Sequence, residues 1–372
     1  MTGDPNGFVL AGPEARMPSE TEFVTPPPVE RGDRVAVVAP ASGSAARFPH
    51  VLDRGLRVLR ERFGLEPVLF PTARRSDEWL YDHAAARARD VEAAFRDPDV
   101  GAVLTTVGGN DQVRILRHLD AGVLRSNPTR FFGISDNTHL HTALRNAGLV
   151  SYYGGTVMTD LACAGGPFDY TVAYLERALF DEKVGEVNPS SEFTDEDLPW
   201  EDPANLEASP EREPNPGWTW RGGRGRVEGR VWGGCLEVLD TVLAADRTMP
   251  PLDALDGAVL LLETSEGRPG EGEVRRMLLG LGERGVLGRV GAVLVGRAKA
   301  RDPFSDPGPR ARAEYREAQR GAVTEVVGEY NPDAPVVLDF DVGHTHPAVP
   351  VPVGGRAVVD PTDERIAFPR EG

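Results

Sequence analysis

The chain has 372 residues, long enough for two domains that each bury a core, and its 40% hydrophobic content fits a soluble globular protein. A formal net charge of -17 disfavours nucleic acid or an anionic membrane as partner, because either asks for a basic surface. No run reaches the roughly 18 apolar residues that span a bilayer and no basic-then-apolar leader opens the chain, so a cytoplasmic location is expected.

Residues 1–30 are polar, carry Pro26-Pro27-Pro28 and lack a hydrophobic period, which predicts a flexible or loosely docked N-terminal extension. From Asp33 onward, short apolar runs alternate with amphipathic stretches. Strands are expected over 34–39, 67–70, 100–106 and 130–134, with helices over 51–63, 78–95, from Gln112, and from the 130s to about Gly148. This alternation implies an α/β domain over 31–184, a parallel sheet with helices on both faces. Residues 185–225 then form an acidic, Trp- and Pro-rich loop containing Asp195, Trp200, Trp218 and Trp220, whose aromatic content argues against plain disorder. A second, mixed domain is expected over 226–372. It has strands at 226–232, 258–262 and 291–295, helices over 236–243 and near 274–281, and an end made mostly of short strands, including 335–340 and 356–359.

Four places could carry chemistry. Ser135 follows a predicted strand in Gly133-Ile134-Ser135-Asp136-Asn137, where a tight turn would present a nucleophile at a helix N-terminus. Asn137 replaces the second glycine of the usual elbow, and a simple helix cap is the competing reading. Gly108 and Gly109 end the preceding strand, where backbone donors could form an oxyanion hole or merely turn into a helix capped by Asn110 or Asp111. Glu263 terminates an apolar strand, either as a partnered acid or as a solvated strand end. His344 and His346 lie in a glycine- and proline-bounded loop, where function concentrates. No acidic third ligand is suitably spaced, so no metal is expected, and Cys163 and Cys235 also lack metal-ligand spacing. A dinucleotide enzyme is disfavoured, since no G-x-G-x-x-G follows the first strand.

Seven segments in order resemble the LD-carboxypeptidase family, from about Arg31 to the end: Val38-Ala39-Pro40-Ala41-Ser42, Val107-Gly108-Gly109-Asn110-Asp111, Gly133-Ile134-Ser135-Asp136, Tyr153-Gly154-Gly155, Gly229-Arg230-Val231-Trp232-Gly233-Gly234, Leu261-Leu262-Glu263-Thr264-Ser265-Glu266 and Gly343-His344-Thr345-His346-Pro347. The resemblance implies a metal-free, cofactor-free serine peptidase with Ser135, Glu263 and His344 as its triad. It implies an oxyanion hole from the Gly109 and Asp136 N–H groups, a flavodoxin-like N-terminal domain, a swivelling β/α C-terminal domain and a homodimer. Gly108-Gly109-Asn110-Asp111 and the acidic loop are most similar to the microcin C immunity branch. There Gly108 and Asn110 would contact substrate and Trp200 would stack on a nucleotide base, although pinning the loop is an equal role for Trp200. Two positions depart from the family: Cys235 stands where asparagine is frequent, and Gly155 where proline is frequent. The expected activity is hydrolysis of the amide of a peptide-nucleotide or related small peptide. A muropeptide LD-carboxypeptidase and a non-catalytic ligand-binding homologue are the alternatives.

Overall fold

The computed structural model describes residues 22–370, apart from Arg224, Asp302 and Pro303. Residues 1–21 of the expected extension lie outside that range. Five short strands, β1 (Arg34–Val38), β2 (Glu66–Leu69), β3 (Val100–Thr105), β4 (Arg130–Gly133) and β5 (Ser151–Tyr153), pair in parallel in the order β2-β1-β3-β4-β5. Successive side chains of a strand point to opposite faces, and both faces are covered. Val35 and Val37 enter one apolar cluster, while Ala36 and Val38 enter another. The strand order reverses between β1 and β3, so the loops after these strands part and leave a crevice at the carboxyl edge.

The second half contributes β6 (Gly185–Val187), β7 (Glu192–Phe193), β8 (Glu213–Pro214), β9 (Thr219–Arg221), β10 (Val227–Cys235), β11 (Val259–Glu263), β12 (Ala292–Gly296), β13 (Val336–Phe340), β14 (Val351–Val353), β15 (Arg356–Asp360) and β16 (Arg365–Phe368). Strands β10 to β13 run parallel at the centre of an eight-stranded sheet ordered β6-β16-β15-β10-β11-β12-β13-β9, with antiparallel strands completing both sides. Strand β14 returns to the first sheet and pairs antiparallel with β5. One apolar cluster runs through both sheets and includes Phe132, Leu175, Leu261 and Phe340. The chain is thus an α/β protein of two large sheets with a shared core, accompanied by a two-stranded ribbon.

Several segments differ from the sequence expectation. The end of the chain holds a 22-residue helix, Pro309–Tyr330, where mostly strands and turns were expected. Its buried stripe is charged or polar in the first half (Arg312, Arg316, Gln319) and apolar only later (Ala322, Val323, Val326, Val327), so the apolar period that marks a helix is half missing. Residues 23–30 are docked: Val24 exchanges backbone hydrogen bonds with Gly148 and Leu149-flanking Val150 at 2.9 and 3.0 Å. The buried Arg130 guanidinium donates to the carbonyls of Pro26 and Pro27 at 3.2 and 2.9 Å, using the acceptors that a proline run offers in excess.

The acidic stretch over 185–225 supplies edge strands β6 and β9 and a ribbon of β7 with β8. It is held by arginines of the C-terminal half. Asp195, 1% exposed, lies 2.6 Å from Arg316 and 3.2 Å from Arg301, and Glu213 lies 3.1 Å from Arg316. Asp341 accepts from Ser190, from Trp218 Nε1 at 2.9 Å and from Arg297 at 3.3 Å. Among the described residues no helix is long and apolar enough to cross a membrane. Removing one member of a buried ion pair strands the other, so Asp195→Ala is expected to cost on the order of 3–5 kcal/mol, read by chemical denaturation. A loss below about 1 kcal/mol would show the network to be energetically idle.

Candidate active site

The site is assembled at the carboxyl ends of β3, β4 and β11. Ser135 follows β4 with φ 61°, a left-handed conformation that a residue with a side chain adopts only under constraint. The turn leads through a short 3-10 segment into the helix Thr138–Asn146, and Thr138 Oγ1 donates to Ser135 O at 2.6 Å. The turn has the sharp strand-to-helix form of a nucleophile elbow. Gly108 is required beside it, since a Cβ at that position would lie 2.7 Å from Ser135 Cβ. The same glycine turn is braced from below. Arg87, fully buried, forks onto Asp111 at 2.7 and 3.1 Å and also donates to the Pro40 and Ala41 carbonyls.

Glu263 ends β11 and is 2% exposed, with β10 beside it in the register Cys235↔Glu263. Its Oε2 accepts from His344 Nδ1 at 2.6 Å, and its Oε1 accepts from the Tyr153 hydroxyl at 2.5 Å. Gly343, at φ +93°, clears the approach: a Cβ there would lie 2.7 Å from Glu263 Cδ. The other nitrogen of His344, Nε2, faces Glu266 Oε2 at 3.1 Å rather than Ser135 Oγ. Burial disfavours the imidazolium, but the charges and hydrogen bonds of Glu263 and Glu266 outweigh it and raise the His344 pKa well above the ordinary value. The hydrogen bond to His344 draws Glu266 down to about 2.

Ser135, His344, Gly108, Gly109, Asn110 and Trp200 line one cavity of about 440 Å³. Glu263 lies beneath it, behind His344. Asp136 is turned away: its carboxylate accepts from the Gln112 N–H at 2.9 Å, and burial pushes it up to about 6. Trp200 faces the cavity and also packs edge-on against Phe48, ring centroids 5.5 Å apart, while His50 hydrogen-bonds its carbonyl at 2.9 Å. His346 has a different neighbour from His344, Asp160 at 4.0 Å, and among the described residues no group of three or more His, Cys, Asp or Glu side chains is arranged around a metal position.

The two departures have local explanations. Gly155 has φ +75°, which proline cannot adopt. Cys235 is buried with its Sγ 3.4 Å from Glu237, and Glu237 in turn accepts from the Ser265 N–H and hydroxyl, bracing the turn that carries Glu266.

Sequence reasoning gave no role to Tyr153, Arg87 or Lys299. Lys299 is 1% exposed and joins Asp197 of the acidic stretch at 2.8 Å to the His344 carbonyl at 3.1 Å. A signal existed for Tyr153, since a tyrosine ending a buried strand needs a partner for its hydroxyl.

Comparison with known proteins agrees with this architecture. Residues 35–154 match the LD-carboxypeptidase N-terminal domain and residues 228–359 the LD-carboxypeptidase C-terminal domain. The chain belongs to the LD-carboxypeptidase family. It is 30% identical to a probable murein peptide carboxypeptidase of Bacillus subtilis, over 93% of this chain and 94% of that one. It is 25% identical to the microcin C7 self-immunity protein MccF of Escherichia coli, over 92% and 94% of the two chains. The structure of an MccF-like protein from Streptococcus pneumoniae in complex with AMP superposes with a TM-score of 0.81 at 26% identity, covering 91% of this chain and 99% of that one. Membership of this family makes the chain a serine peptidase.

Neutral imidazole is the form that can take a proton, so a carboxylate on Nε2 moves the acid limb of reactivity upward. In Glu266→Gln that limb is expected roughly one pH unit lower, read from the pH dependence of fluorophosphonate labelling. A limb that stays in place would mean that Glu266 does not govern His344.

Proposed function

We propose that the protein hydrolyses the amide bond of a small peptide or peptide-nucleotide through a Ser135–His344–Glu263 triad and an acyl-enzyme. The observation that carries this reading is the 2.6 Å Glu263–His344 bond at the rim of a cavity that also holds Ser135 in its left-handed turn.

In the proposed sequence, substrate entry first frees His344 Nε2 from Glu266. Ser135 Oγ attacks the amide carbonyl and its proton passes to Nε2, while Glu263 orients the ring and stabilises its charged form. The resulting oxyanion is placed against the Gly109 and Asp136 N–H groups. The Ser135 N–H is unsuited to that task, because it donates to Tyr153 Oη at 2.9 Å. Collapse of the tetrahedral adduct breaks the C–N bond, and the amine departs with the proton from Nε2. Water then attacks the ester, its proton passes through His344, and Ser135 recovers its hydroxyl hydrogen.

Within this chemistry we favour the peptide-nucleotide substrate, because Trp200 presents a half-buried aromatic surface to the same cavity as the nucleophile. The likeness to a probable murein peptide carboxypeptidase supports a muropeptide as the second reading. A homodimer is proposed with it, from the family resemblance alone.

Ser135→Ala is expected to abolish hydrolysis with an unchanged circular dichroism spectrum, and retained turnover would remove the triad. Trp200→Ala separates the substrates. Base stacking contributes about 1–3 kcal/mol, so KM for an aminoacyl-sulfamoyl adenosine should rise roughly tenfold or more while a tetrapeptide is unaffected. An equal loss for both substrates would assign Trp200 to anchoring the loop.

A further inference from the structure

We propose that Tyr153 is a positioning residue of the triad, its phenol tying the Glu263 carboxylate to the backbone of the nucleophile. This rests on the Ser135–His344–Glu263 reading. The directions of the two hydrogen bonds are fixed by the groups involved. The Ser135 N–H can only donate, so Tyr153 Oη accepts from it at 2.9 Å, and the phenol's single proton is left for Glu263 Oε1 at 2.5 Å. Glu263 Oε2 is taken by His344 Nδ1 at 2.6 Å. A continuous chain of hydrogen bonds therefore runs from the serine backbone through Tyr153 and Glu263 to the histidine that must meet the serine hydroxyl.

The phenol is held on every side. Tyr153 is fully buried in β5, in register with Gly133 at the end of β4 and with Val351 of β14. Its ring lies 5.4 Å from that of His141, whose Nε2 donates to the Gly133 carbonyl at 2.9 Å. Gly234 makes room for it, since a Cβ there would lie 3.0 Å from Tyr153 Cε2. Burial, together with the Glu263 charge, raises the phenol's pKa well above its ordinary value and keeps it a neutral donor.

A role in packing alone would be served by phenylalanine. A role in positioning carries two further consequences. The phenol holds Ser135 in its left-handed turn through the N–H, and it moderates the negative charge that Glu263 offers to the imidazolium. The other charged or titratable groups around this chain are Cys235 and His141 near Tyr153, and Glu266, His346 and Lys299, with Asp197 behind it, near His344. All of these stay constant when only the phenol is altered.

The test uses the full chain, with Tyr153 replaced site-specifically by 3-fluorotyrosine and 3,5-difluorotyrosine, and with Tyr153→Phe alongside. The rate of fluorophosphonate labelling of Ser135 is followed between about pH 5 and pH 9. A more acidic phenol donates more strongly to Glu263 and weakens its hold on the imidazolium. The acid limb should therefore step to lower pH along the fluorinated pair, by about half a unit in total. In Tyr153→Phe it should move up, and the plateau rate should fall roughly tenfold with the loss of two hydrogen bonds, one of them to a charged group. Fluorine replaces only ring hydrogens, so this arm stands even where the phenylalanine variant does not fold. A limb that remains at the wild-type position throughout the series, with Ser135 labelled normally, overturns the role of Tyr153 and leaves the triad intact. Absence of Ser135 labelling in the wild-type protein overturns the triad reading and this proposal with it.

Discussion

The candidate site is organised by one buried carboxylate that has to be satisfied from two directions. A charge removed from water is tolerated only when both of its oxygens find donors. Glu263 finds them on different parts of the molecule: His344 after β13, and Tyr153 at the end of β5 in the other sheet. This requirement sets the two sheets against each other beside Ser135. Glycines on neighbouring segments make it sterically feasible, as a Cβ at Gly296 would lie 2.7 Å from Glu263 Cβ and one at Gly343 would press on the carboxylate itself.

The same logic, at larger scale, governs the acidic stretch. Read as composition, a run of carboxylates over residues 185–225 is a self-repelling tail. In the fold it becomes an ionic layer, because Arg301, Arg312 and Arg316 are all nearly buried and pair with its carboxylates. Arginine suits this task, since its planar fork meets several carboxylates at once and cannot lose its charge. Lys299 extends the layer to the chemistry by holding Asp197 and the His344 carbonyl together. The loop that presents Trp200 and the histidine of the site are therefore referenced to a common cation.

How much of this was legible in the sequence varied with the kind of interaction involved. Strands β1, β3, β4 and β11 are runs of buried apolar residues bounded by turns, and their pattern located them and the residues that end them, Ser135 and Glu263. The helix Pro309–Tyr330 escaped because half of its buried face consists of arginine and glutamine, whose partners lie on other segments: Arg316 meets Asp195 and Glu213 of the acidic stretch, Arg312 meets Asp306 and Glu213, and Gln319 donates to the Pro269 carbonyl. Pairing of that kind leaves no periodic trace. The candidate site was legible as a set of segments, while the geometry within it was not. Nothing local indicates that His344 Nε2 meets Glu266, that Asp136 turns inward to Gln112, or that the phenol of Tyr153 reaches across to Glu263.

The return of β14 to the first sheet bears on how the protein is made. During synthesis the N-terminal sheet emerges with β5 as an open edge, and the strand that covers it arrives only after nearly all of the C-terminal half has been translated. An uncovered edge is a template for mispairing, and distant contacts are slow to close. Tyr153 lies on that edge. The nascent N-terminal half thus leaves the ribosome without the strand that flanks its site, and a fragment cut anywhere before β14 would carry the edge of β5 uncovered.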